Sequence, residues 1–296
     1  MIRLIALSWT DENQVVLARP ESPIHTAADL KGRRLAVPRR LNDSIDFWRA
    51  TVLRGYYAAL STVGLTAHDV EFVEIPIERA WLDDAPKGTA QRGSLWGAAS
   101  TRSFQREEAV ALLTGKVDAI FSAHAHAADI KAFLGARVVT DLRDHPGRSL
   151  RINNCTPLAL TASGNLIDQR PDLVARWLAK VIEAGHWART HRDETFRIVA
   201  AESGVAEETA HEAFGEGLPD QLVPDLSDEN VAAIISQKDF LLANGFIKRD
   251  FDIEQFIVRG PLAEANQIVS ANRTKHDHSP APRRADIDLS PAPAGK

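Results

Sequence analysis

Residues 22–75 read SPIHTAADLKGRRLAVPRRLNDSIDFWRATVLRGYYAALSTVGLTAHDVEFVEI, and no other stretch constrains the fold as tightly. Thr26 followed by Asp29 predicts a capping box, with Asp in place of Glu, opening a one-turn helix over AADL. Gly32 ends that turn and RRLAV follows as a buried strand. Apolar spacing over 45–63 predicts an amphipathic helix that Gly64 terminates, and 70–75 predicts the next strand. A strand joined through a helix to a second strand is the unit of a parallel sheet. The turn Asn42, Asp43, Ser44 falls at the carboxyl end of the first strand and the start of the helix. Free backbone N–H groups and the helix dipole make such a turn a place for a small anion. Open α/β sheets hold ligands at that end. The bland reading is that one of the three merely caps the helix, and the Asp43 carboxylate repels an anion.

Around this unit, 3–7 and 14–18 predict two short strands about a polar turn at Asp11–Asn13, with a connector from Pro20 to Pro23. Periodicity is lost between 76 and 104, where Pro86, Gly88, Gly93 and Gly97 interrupt the chain and Trp81 and Trp96 serve as apolar anchors. A long irregular segment of this kind reads as a functional flap. A helix over 106–113, a strand over 116–122 running into a helix, and a strand over 136–141 follow. The β-α-β-α-β order predicts an α/β fold with a mostly parallel sheet. One more strand region spans 150–161. Beyond it the pattern is helical: 171–191, 193–203, 206–214, 227–244 and 252–259. Caps are expected at Asp168, with Pro171 opening the first turn, and at Ser227 with Asn230. From Arg273 the Pro-, Ala- and charge-rich tail reads as disordered.

Composition narrows the function classes. The 296 residues are 44% hydrophobic and 25% charged, ordinary for a globular protein, and the net charge of −5 gives no nucleic-acid footprint. Arg33, Arg34, Arg39 and Arg40 form a local basic cluster, read either as solvated strand ends or as an attractor for an anion. One cysteine, Cys155, rules out an internal disulfide. No apolar run approaches the roughly 20 residues of a membrane span. The first twenty residues do not read as a signal peptide but as a strand that starts abruptly, so the chain is expected to begin inside a fold. Phosphate-loop, dinucleotide-binding, GxSxG and HExxH motifs are lacking, and no cofactor is called for.

Individual residues carry alternatives. His124 and His126 form an H-x-H expected at the end of a strand over 117–121, on one face of an extended chain as a metal pair requires. With no third ligand nearby a metal is not expected. A ring donating to a ligand, or plain packing, are the other readings. Cys155, flanked by Asn153, Asn154 and Thr156, reads as a small buried hydrophobe; a catalytic thiolate would need a cationic partner, for which His145, Arg148 and Arg151 are near in sequence. Trp96 and Gly97 either stack on an aromatic ligand or pack the flap. Arg148 and Arg151 stand where the chain should return between two lobes and could pair with an anionic group. Trp177, His186 and Trp187 lie at helical spacing and read as packing.

The segments DLKGRRLAVPRR, DVEFVEI, EEAVALLTGKVDAIFSAHAHAADI, GARVVTDL and LIDQRPDLVARWLAKVIEAGHWARTHRDET together resemble the type II periplasmic-binding-protein fold, in its sulfonate, nitrate and taurine branch. SPIHTAADLKGRRLAV, PKGTAQRGSLWGAASTRSF, DQRPDLVARWLAKVIEAGHWARTH and AFGEGLPDQLVPDLSDENVAAIISQKDFLLANGFI carry a closer similarity to the 2-hydroxybiphenyl-2-sulfinate desulfinases within it. The resemblance covers about 15–265 and implies two lobes: 1–24 with 146–272, and 25–145. It implies capture of a small organic anion, a sulfonate or sulfinate, in an interlobe cleft, with an ABC permease as a possible partner. The alternative it implies is hydrolysis of an aryl C–S bond. In the desulfinases the nucleophilic cysteine and its neighbouring histidine and arginine precede the matched region, so the resemblance assigns no catalytic residue here. Asn42, Asp43, Ser44, Trp96, Gly97, His124, His126 and Arg151 are the expected ligand contacts.

Overall fold

The computed structural model describes residues 1–79 and 104–277, with side chains to 273. Two sheets organise these residues. The larger has the order β4-β3-β5-β2-β6: β2 (Gln14–Ala18), β3 (Arg34–Arg40), β4 (Glu71–Ile77), β5 (Ala119–Ala123) and β6 (Arg137–Asp141). The smaller pairs β1 (Ile2–Ser8) antiparallel with β7 (Leu158–Ser163). In the larger sheet β3 runs parallel to β4 and β5, while β2 runs antiparallel to β5 and β6. Four strands therefore share one direction and β2 alone opposes them.

Alternation along the strands explains how this sheet is covered. Val16, Ala18, Leu35, Val37, Ala119 and Phe121 join one core with α1 (Phe47–Ser61). Their neighbours Val15, Leu17, Ala36 and Ile120 join a second core with α2 (Arg106–Leu113) and α3 (His124–Leu134). Successive strand side chains point to opposite faces, so burial on both faces produces a nearly unbroken apolar run. Trp48, Val52, Tyr56 and Leu60 recur at helical spacing and form the sheet-facing stripe of α1. Between them Gly55 meets the sheet: a Cβ built there would lie 2.1 Å from the buried Phe121 ring. Gly55→Ala is expected to destabilise the protein by about 1–3 kcal/mol through overpacking. An unchanged urea midpoint would refute this close approach.

The smaller sheet is backed by α5 (Pro171–Thr190) and α11 (Gly260–Asp277), which enclose Ile5, Val174, Leu178, Ile182, Leu262 and Ala265. α4 (Gly164–Gln169) precedes α5, and between α5 and α11 come α6 (Arg192–Ser203), α7 (Glu207–Phe214), α8 (Leu218–Gln221), α9 (Asp228–Ala243) and α10 (Ile253–Phe256). Two connections cross between the sheets, residues 9–13 from β1 to β2 and residues 142–157 from β6 to β7.

Several local expectations are met. Asp29 accepts from the Thr26 backbone N–H at 2.9 Å, completing the capping box. Ser227 accepts from the Asn230 N–H at the start of α9. Others shift. β2 joins the larger sheet rather than remaining with β1, because its apolar residues fit between β5 and β6. Strand structure after the second crossing begins at Leu158, and 148–151 form a 3₁₀ turn. Asp168 lies inside α4, and Arg170 stands at the N-cap of α5 ahead of Pro171. α11 runs through Arg273 to Asp277, since Leu262, Ala265 and Val269 anchor it to α5; the tail from 278 onward lies outside the described residues. No helix among the described residues is long and apolar enough to cross a membrane.

Candidate functional site

The two crossings meet, and polar side chains collect there. Residues 9–13 follow β1 in an irregular run with Asp11 at φ 49°, in the left-handed region that non-glycine residues seldom occupy. The result buries Glu12, Asn13 and Gln14, each 2–3% exposed, between two apolar strands. Buried polar groups need partners, and the second crossing supplies them. Gln14 donates through Nε2 to the Arg151 carbonyl at 2.6 Å, and Asn153 donates through Nδ2 to Gln14 Oε1 at 3.1 Å. Arg151 Nη1 donates to Asp11 Oδ1 at 2.6 Å and Nη2 to the His145 carbonyl at 2.8 Å. Its Nε is buried with no hydrogen-bond partner, as is Asn13 Oδ1. Asn154 fastens the same loop to α1 through Phe47 O at 2.7 Å and Thr51 Oγ1 at 3.0 Å. Gln237 of α9 donates to Asn154 Oδ1 at 2.7 Å.

His124 enters from the larger sheet. It is the first residue of α3, directly after β5, and holds φ at 61°. Its backbone N–H donates to the Asn13 carbonyl at 3.1 Å. Strained backbone of this kind costs of order 1–3 kcal/mol and collects at functional sites. The ring Nδ1 stands 3.4 Å from Glu12 Oε1. Glu12 also accepts from the hydroxyls of Thr10 and Thr156. Cys155 is half-buried. Burial pushes the imidazole down, but the Glu12 carboxylate and Cys155 together hold it up to about 9. The arrangement thus presents a cationic ring from the end of β5 together with an arginine and a thiol from the second crossing.

The expected residues divide accordingly. His124 and Arg151 come together at the crossings. His126 does not join His124: both stand in the first turn of α3, where residues two apart diverge, and His126 packs against Phe104 with centroids 5.3 Å apart. The face expected of an extended H-x-H is therefore lost, because the strand ends at Ala123. No group of three metal-ligating side chains occurs among the described residues. The helix start at Asn42, Asp43 and Ser44 also differs. α1 begins at Phe47 with Asp46 as N-cap, accepting from Arg49 N at 3.2 Å and Arg40 N at 2.9 Å. A carboxylate thus holds the N–H groups an anion would use. Asn42 donates to the Glu78 carbonyl at 2.5 Å, Asp43 lies 3.6 Å from Arg40, and Ser44 is exposed. The basic cluster is engaged as well: Arg34 with Asp118 at 2.8 Å, Arg39 with Glu74 at 3.0 Å, and Arg33 with the Asp29 carbonyl at 3.3 Å. Arg148 lies over the Trp9 ring at 3.8 Å. Trp96 and Gly97, with the rest of the flap from 80 to 103, fall outside the described residues.

Sequence reading passed over Glu12 and treated Cys155 as a buried hydrophobe. The signal for Glu12 was the run Thr10-Asp11-Glu12-Asn13-Gln14 between two strands, far too polar for an interior unless its members bind one another. Nothing local announces that Cys155 helps to hold up the pKa of His124, 31 residues earlier in the chain.

Comparison with known proteins gives a consistent set of relatives. No protein-family profile matches the chain. The 2'-hydroxybiphenyl-2-sulfinate desulfinases of Rhodococcus erythropolis and Rhodococcus qingshengii are each 31% identical over 271 residues, covering 86% of this chain and 72% of theirs. Among solved structures, the desulfurization enzyme DSZB aligns with TM-score 0.68 and 26% identity over 90% of this chain and 80% of its own. A cysteine-to-serine mutant of it in complex with biphenyl-2-sulfinic acid aligns with TM-score 0.67 over 79% of its length. The sulfonate-binding protein SsuA of Methylobacillus flagellatus, at 16% identity and TM-score 0.65 over 91% of this chain and 70% of its own, shares the fold.

Proposed function

Because the chain belongs to the family of the 2'-hydroxybiphenyl-2-sulfinate desulfinases, we propose that its crossing site captures a small organic anion of the sulfinate or sulfonate class. The observation that carries this reading is the convergence of His124 and Arg151, from different segments, on the run Asp11–Gln14, buried from Glu12 onward, between the two sheets. The sheets would be the cores of two lobes that close about residues 9–13 and 142–157, as hinge-bending binding proteins do. A charged ring held protonated near neutral pH attracts an anion, and an arginine offers it planar donors. The buried Arg151 Nε is a further donor in the same neighbourhood.

A panel of biphenyl-2-sulfinate, alkanesulfonates, taurine and nitrate tests this by thermal unfolding. A ligand that binds only the native state stabilises it by mass action, by about 2.7 kcal/mol at a hundredfold excess over Kd, and so raises the midpoint. Arg151→Met should abolish the shift produced by whichever anion binds. Absence of a shift with every member would reject the reading. A second function, hydrolysis of an aryl C–S bond with release of sulfite, is favoured by the alignment with the biphenyl-2-sulfinic acid complex. It is separated from simple capture by measuring sulfite after incubation with biphenyl-2-sulfinate: release supports the enzyme, binding without release supports capture alone.

A further inference from the structure

Helix α5 is apolar on two sides, and only one of them is covered. Val174, Leu178 and Ile182 face the smaller sheet and α11. On the opposite side of the helix Leu173, Trp177, Ala184 and Trp187 recur at helical spacing. Leu173, Trp177 and Trp187 are 42%, 50% and 39% exposed, and Ala184 is exposed between them. A single exposed apolar residue is ordinary, but several aligned in one patch mark an interaction surface. A helix that is apolar on every side is normally buried. The Trp187 ring is already held by stacking on His191, with centroids 4.4 Å apart. Little side-chain freedom is therefore lost when another surface packs against it. Lys180 is the one charged residue inside the stripe, and it pairs with Glu183 at the stripe's edge at 2.6 Å.

We propose that this stripe is a contact between two copies of the chain, whose α5 helices pack antiparallel about a two-fold axis at the level of Ile182. A two-fold contact has to be self-complementary, and the stripe is so in the antiparallel sense. In that register Trp177 of each copy stands level with Trp187 of the other, and Lys180 stands level with the small Ala184. The second copy's Glu183 is then one residue away from Lys180 along the axis and on the same flank, so opposite charges meet across the contact. The two helix dipoles also run head to tail. A parallel pairing would instead set Lys180 on Lys180 and Glu183 on Glu183, and like charges brought together at a contact select against it. Tryptophan is among the residue types that most often anchor such surfaces. One helix pair is a small contact, below about 1,200 Å² in total, which suits a reversible dimer with a dissociation constant of order micromolar. No sulfinate or sulfonate takes part, so the proposal stands or falls separately from the anion-binding reading.

The experiment is sedimentation equilibrium of the intact chain from about 1 to about 200 μM, a range that brackets a weak dimer. With no ligand added, the mass should rise from that of one chain to that of two. Trp177→Glu should raise the dissociation constant at least about tenfold. Trp177 is exposed, so this variant should keep the cooperative thermal transition of the unaltered chain, which is recorded alongside. Lys180→Glu should weaken the dimer as well, by setting a carboxylate against the second copy's Glu183. Adding Glu183→Lys to it should restore the dimer, because the exchanged pair is complementary again. A chain that stays monomeric at the top of the range would overturn the proposal. So would a folded Trp177→Glu variant that dimerises as tightly as the unaltered chain, since the contact would then lie elsewhere. A double variant that associates no more tightly than Lys180→Glu alone would overturn the antiparallel pairing.

Discussion

Replacing Glu108 by glutamine is expected to stabilise the protein at pH 8 by about 3 kcal/mol. Glu108 sits in the first turn of α2, 1% exposed, and accepts from Trp48 Nε1 at 3.0 Å while its Oε2 has no hydrogen-bond partner. Burial raises its pKa from 4.5 to about 7, only partly offset by the Trp48 hydrogen bond. Between those two values the unfolded chain releases a proton that the folded protein keeps. Stability therefore falls as pH rises through that window and is lowest, as far as this group is concerned, above 7. One pKa unit corresponds to about 1.4 kcal/mol, which sets the size of the effect. Glutamine retains the acceptor for Trp48 and removes the ionisation. Urea unfolding of both proteins from pH 4 to 9 measures this: the variant's gain should grow between pH 4.5 and 7 and then level off. A gain that does not change with pH would show that burial of the carboxyl is not the cause.

Replacing Glu12 by glutamine should act in the opposite direction. The carboxylate is buried, receives hydroxyl donors from Thr10 and Thr156, and faces the His124 ring. Removing one partner of a buried charge pair leaves the other uncompensated, at a cost of about 3–5 kcal/mol. Burial lowers the His124 pKa and Glu12 is the larger of the two groups that raise it, so without Glu12 the ring should titrate below about 9. The protonated ring's contribution is fully present below the ordinary 6.5 and lost as pH rises through about 9. The loss caused by Glu12→Gln should accordingly be largest at pH 6–7 and shrink toward pH 10. NMR titration of the His124 ring supplies the direct readout, and a ring that still titrates near 9 in the variant would remove Glu12 as the cause.

Much of this molecule could be read from the chain. The capping box Thr26–Asp29, the strand of β3, the stripe Trp48, Val52, Tyr56 and Leu60, and the Ser227 cap all depend on interactions within a few residues. The family, too, was legible, because its segments are matched in order along the chain. The place of β2 was not, since an apolar five-residue strand fits either sheet and only the exposed edges of β5 and β6 choose. The start of α1 was missed by two residues because Asp46 competes with the polar turn before it for the role of cap.

What sequence determined by itself was therefore local: which residues form strands and helices, and that the chain is an α/β protein of the desulfinase family. Tertiary structure decided the site. Glu12, His124 and Cys155 are distant in sequence and each, taken singly, has an ordinary packing role. They meet because both connections between the two sheets pass the turn that ends β5, and a buried carboxylate there must find donors wherever the fold supplies them. Periodicity reports which face of an element is buried, but it carries no record of which distant polar group will be buried opposite.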